Sequence, residues 1–155
     1  MPGASQHRAI AVAAAAVIGL IRAQDMPEEE RLPYVAGACL GALATATLPD
    51  LLEPAIHGWH RDVFHSGTAG VALVGGAVRL AATKGQQMVS EAKQLRETAG
   101  TLAPTDPRQA NITNRCQTGA FQRGLVLGGV VGVGSHLVAD AATPRGIPLL
   151  SRGLG

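Results

Sequence analysis

Four Pro-free apolar stretches, residues 9–21, 34–48, 67–78 and 124–142, set the fold class of this chain. Each reads as a helix by its length, although glycine in the third and fourth weakens them as isolated helices. At 155 residues the chain has room for one core and not two. The expectation is a single all-α domain over residues 1–155: a compact bundle of about four to five Ala/Gly-rich helices, with a polar insert at residues 83–118 before the last core helix.

Charged residues make up only 15% of the chain, against roughly 25% in soluble domains, while 46% is hydrophobic. That balance points to a membrane protein or a deeply buried helical one. Aromatic residues are 3%, too few to stack on bases, and a formal charge of +2 is too small to attract a polyanion. No nucleic-acid partner is expected. Spanning a bilayer takes about 20 apolar residues. The first three stretches fall short unless Arg8, Arg22 and Arg79 snorkel; the fourth is long enough but carries His136 and Asp140. Gly128 and Gly132, four residues apart, would allow close helix approach in lipid or in a tight soluble bundle. The sequence therefore leans to a membrane-associated protein of the bacterial inner-membrane type, with a cytoplasmic bundle as the alternative.

Between the first two stretches, Pro27 and the acidic residues Glu28, Glu29 and Glu30 suit a turn followed by a helix start. In the insert, Met88, Val89, Ala92, Leu95 and Ala99 share one side of a short amphipathic helix that Gly100 would stop. Residues 101–119, with Pro104, Pro107 and several Asn and Thr, read as a surface loop. Asn111-Ile112-Thr113 matches a glycosylation pattern that chance explains as well. Residues 1–25 resemble a signal peptide at first sight, but Arg22 stands where a small-residue cleavage site should follow. Cys39 and Cys116 lie far apart, without CxxC spacing, and read as free thiols with Cys39 buried.

Four of the five histidines lie in two short regions that abut the apolar stretches. The first holds Asp50, Glu53, His57, His60, Asp62 and His65; the second holds His136 and Asp140. On a helix, His136 and Asp140 project from one face about a turn apart, which suits a shared divalent ion. A buried carboxylate among Leu137, Val138 and Ala139 would be costly without such a partner. Bland alternatives exist for each: a His136–Asp140 hydrogen bond between helices, a helix cap at Asp50 or Asp62, a solvated loop for His57 and Glu53. Carboxylates and imidazoles rarely gather against apolar helices, so the set as a whole favours a metal site. Ser66 and Ser135 each adjoin a histidine but lack a GxSxG context, and the glycine-rich run at 124–134 lacks the GKS/T of a phosphate loop.

"LPD" at 48–50, "HRDVFHS" at 60–66 and "SHLVADAATPRGIPLL" at 135–150 resemble the YdjM-like membrane-bound metal-dependent hydrolases. The resemblance implies a helical fold distantly like zinc-dependent phospholipase C and P1 nuclease. Its matching ligand positions are Asp50, His60, His65, His136 and Asp140, with Thr143, Pro144 and Gly146 shaping the turn that follows. This chain departs from the commonest family pattern after "LPD", where a second Asp is usual and Leu51, Leu52 and Glu53 stand instead. The expectation is a hydrolase of a phosphoester, lipid or small-molecule, that uses one or two zinc ions to activate water. Glu53 or Asp62 would serve as base, and Arg61 and Arg145 would hold a phosphate. The alternative is a small helical membrane protein whose metal or His-carboxylate network is purely structural.

Overall fold

The structure is a computed structural model that describes residues 4–52 and 67–141, with backbone only for 52, 67–71, 73, 74, 77, 81, 140 and 141. The helices are α1 (Ala4–Ala23), α2 (Glu28–Thr45), the single-turn α3 (Leu48–Leu52), α4 (Gly67–Gly100) and α5 (Pro107–Ala141). There is no strand among the described residues, and the expected all-α bundle holds.

α2 and α5 form the spine, with α1 against both and α4 against α5. Glycine makes the spine possible. A Cβ at Gly37 or Gly41 of α2 would strike the carbonyls of Phe121 or Leu125, and one at Gly124 or Gly128 of α5 would strike those of Tyr34 or Ala38. Gly132, the partner expected for Gly128, leaves room for Thr45 instead. The Thr45 hydroxyl lies 2.9 Å from the Gly41 carbonyl and 3.0 Å from that of Gly129, and its one proton can serve either.

The interior inverts the usual rule. Its buried apolar residues are Ala11, Ala15, Ala23, Ala38, Ala42, Ala46, Ala92, Ala120 and Cys116, whereas Ile10, Val17, Leu20, Ile21, Leu40 and Leu43 face outward. In water that arrangement would forfeit most of the hydrophobic driving force. In lipid the large side chains lose nothing by facing out, and small ones let helices pack closely. α1 and the segment Glu28–Leu51 are each long and apolar enough to cross a bilayer. Both exceed the sequence expectation because α1 begins at Ala4, before the apolar run, and the second segment starts at Glu28 with Pro33 inside it.

Four further expectations are corrected. α2 does not cover the whole 34–48 stretch: it stops at Thr45, and Pro49 sits in the first turn of α3, where a missing N–H costs no helical bond. The insert is a helical hairpin, because α4 runs unbroken through residues 83–100 and α5 starts at Pro107. Asp106 explains that start. Its carboxylate accepts from the Arg108 backbone N–H at 2.8 Å, and Pro107 occupies the first helical position, where its lack of an N–H is harmless. Gln109 closes the hairpin, donating its side-chain amide toward the Ala99 and Leu102 carbonyls at the end of α4. Of the amphipathic face, Ala92 is buried and Met88, Leu95 and Ala99 half-buried, but Val89 is exposed. Cys39 is half-buried and Cys116 is the buried thiol; both are free.

The hydrogen bond from Arg108 holds the Asp106 carboxyl below its ordinary range. A carboxylate so lowered stabilises the folded state above its unfolded pKa of about 3.9, and that contribution disappears as pH falls through the lowered folded value. Asp106→Ala is therefore expected to speed amide exchange in the first turn of α5 at neutral pH. The wild type should show the same fraying only well below pH 4.

Candidate metal centre

Among the described residues, the bundle brings one cluster of ligating side chains together at the end where α1 begins and α2 and α5 finish: His7, Asp50 and His136. His7 heads the buried stripe of α1, which continues through Ala11, Ala15, Gly19 and Ala23 at every fourth residue. His136 lies on α5, fully buried. Asp50 comes from α3, whose single turn follows directly on the end of α2, and its side chain is 44% exposed. One ligand atom from each of the three falls within 4.8 Å of the others.

The orientation of His136 is set by helix geometry. A helix leaves its last carbonyls without intrahelical partners. Ala46, the C-cap of α2, has such a carbonyl, and the Nδ1 of His136 lies 2.7 Å from it. A carbonyl only accepts, so Nδ1 carries the proton and donates. The other nitrogen, Nε2, is thereby directed toward Asp50 and sits 3.5 Å from Oδ1. A ligating histidine is usually fixed in this way, with one nitrogen anchored on a backbone carbonyl and the other turned toward the ion. The His7 and His136 rings stack with centroids 4.1 Å apart and planes 29° apart. Two positive rings at that spacing would repel, whereas two neutral ligands to one cation would not.

Of the residues expected from sequence, Asp50 and His136 lie in this cluster. Glu53, His57, His60, Arg61, Asp62, His65 and Arg145 lie outside the described residues, as do Thr143, Pro144 and Gly146. Asp140 is on α5 one turn beyond His136, with only its backbone described. Sequence reasoning missed His7, the fifth histidine. Cutting the first apolar stretch at residue 9 left it outside the helix, although its four-residue spacing from Ala11, Ala15 and Gly19 places it on the same buried face.

The donor set of two imidazoles and a carboxylate suits zinc or a similar divalent ion. His136 Nε2 and Asp50 Oδ1, 3.5 Å apart, stand about as far from each other as two ligands on bonds of about 2.0–2.2 Å at a tetrahedral angle.

Comparison with known families gives a match to the family described as YdjM inner membrane protein, over residues 1–151. No curated protein and no solved structure matches the chain.

Proposed function

The chain belongs to the YdjM inner membrane protein family, and from that membership and the geometry of its ligand cluster we propose that it is a metal-dependent hydrolase of a phosphoester, with a lipid as the favoured substrate class. The observation that supports this most is the placement of His136 Nε2. It is turned by the Ala46 carbonyl toward a carboxylate, beside a second buried imidazole, in a bundle whose buried apolar residues are mostly alanine.

His7, Asp50 and His136 would hold the ion, with Asp140, His60 and His65 available as further ligands and a second ion possible only if they contribute. A divalent ion bound there would supply Lewis acidity, polarising a phosphoryl oxygen and lowering the pKa of water to roughly 7. The protein's own contribution is orientation and exclusion of bulk water. His136 is locked by its carbonyl bond, His7 by the stack, and Asp50 alone keeps access to solvent, so substrate approaches from its side. Glu53 or Asp62 would take a proton from the attacking water, and Arg61 and Arg145 would pair with phosphate oxygens.

A second reading is favoured by the same 3.5 Å approach between His136 and Asp50. A proton on Nε2 would make it a structural ion pair tying α5 to α3, with no turnover.

Metal analysis of detergent-purified protein separates the two. The expected result is about one or two equivalents of zinc per chain in the wild type, lost in His7→Ala and in His136→Ala, with phosphodiesterase activity lost in parallel. A folded wild type that carries no metal and does not take up Zn²⁺ or Mn²⁺ on dialysis would leave the structural ion pair.

A further inference from the structure

The opposite end of the bundle carries a second polar feature. α4 packs on α5 and meets α2 through Arg96, which reaches Glu30 with Nε at 3.0 Å. A wedge is left between α4 and the α1–α2 pair, a cavity of about 470 Å³. Val78, Val126 and Val130 supply apolar wall, and Arg22, Arg123 and Tyr34 supply the polar lining. No carboxylate lines it among the described residues.

The charges there are unbalanced. Glu30 is fully buried and its carboxylate is shared between Arg96 and Arg123, the latter at 2.8 Å. Arg22, in the last turn of α1, is exposed and makes no ion pair with another described residue. Two guanidinium groups thus share one carboxylate, and the third, Arg22, lines the wedge with Arg123. The Nε of Arg123 is buried without a hydrogen-bond partner among the described residues, an N–H that costs stability unless an acceptor reaches it.

We infer that this wedge holds an anionic glycerophospholipid, its phosphodiester on Arg22 and Arg123 and an acyl chain along the valine wall. Guanidinium matches phosphate oxygens in a planar fork, and the apolar wall needs a chain that a free phosphate lacks. A zwitterionic headgroup brings its own cation toward the arginines and is disfavoured. An inner-membrane protein has such lipid at hand. The site is independent of the metal centre: Arg22 follows His7 by 15 positions on α1, about 22 Å at 1.5 Å per residue.

The test is native mass spectrometry of delipidated protein in detergent, titrated with dioleoyl phosphatidylglycerol, dioleoyl phosphatidylcholine or inorganic phosphate. The expected result is one phosphatidylglycerol bound roughly tenfold more tightly than phosphatidylcholine, with no adduct from phosphate alone. Arg22→Gln should abolish the preference, and Val78→Phe, which fills the wall, should weaken both lipids. Both positions are exposed, and circular dichroism is the check that the variants fold. Equal affinity for the two lipids, a preference that survives Arg22→Gln, or phosphate binding as well as lipid does would each overturn the assignment.

Discussion

Gly128→Val is expected to destabilise the protein by about 3 kcal/mol, the upper end of ordinary overpacking, and to abolish with it the proposed uptake of metal by the His7–Asp50–His136 cluster. A Cβ at position 128 would lie 2.7 Å from the Ala38 carbonyl carbon and 2.8 Å from the Ala42 nitrogen. Those are backbone atoms, so no rotamer change relieves the contact and α2 must move away from α5. The movement separates the Ala46 carbonyl on α2 from His136 on α5, which is the bond that aims Nε2. A stability defect and a metal defect should therefore appear together, in SDS titration and in elemental analysis. Gly134→Ala is the matched control. It lies on the same helix with open space around its Cβ, and removing a helical glycine is worth up to about 1 kcal/mol. It should be neutral or stabilising and retain metal. If Gly128→Val proved as benign as Gly134→Ala, the close α2–α5 approach would be wrong.

The periodic part of this fold was legible because helices leave a signature in composition. Four long apolar runs without internal proline could hardly form anything else, and Gly128 announced a close approach by its spacing. Where reading failed, local chemistry had been judged without its neighbours. Pro107 signals a loop in isolation, yet after Asp106 it is a helix start, because the aspartate caps and the proline needs no partner. Pro49 likewise marks a new turn, not the end of an old helix. His7 was invisible for a different reason. Its role depends on α1 beginning beside the C-terminal end of α5, a contact between residues 129 positions apart that no local pattern records. Asp50 and His136 were found because each belongs to a group of polar residues abutting the apolar stretches, in the segments at 48–50 and 135–150 that carry the family resemblance.

The inverted interior explains why the polar contacts carry so much of the specificity. With alanine and glycine inside and the large aliphatic residues facing out, burial of apolar area distinguishes poorly between one helix arrangement and another. Buried hydrogen-bonded groups then fix the register. His136 on Ala46 does so at one end and Glu30 at the other.

Glu30→Ala is expected to cost about 3–5 kcal/mol, the range for removing one partner of a buried ion pair. The carboxylate is fully buried near the start of α2 and links three helices, with Arg96 from α4 on one oxygen and Arg123 from α5 on the other. The two arginines do not contribute equally. The Arg96 side chain is 40% exposed and can turn to solvent, so its share should be near that of a surface pair. The Arg123 side chain is only 12% exposed and would be left as a buried charge. Arg96→Gln should accordingly cost about 1 kcal/mol or less, and Arg123→Gln considerably more. In a double-mutant cycle, Glu30→Gln with Arg123→Gln should show strong coupling, because removing both charges leaves none buried unpaired. Additive losses in that cycle would mean that the carboxylate and the guanidinium are each solvated separately, and that the register of α2 on α5 rests on the glycine contacts and the His136–Ala46 bond without Glu30.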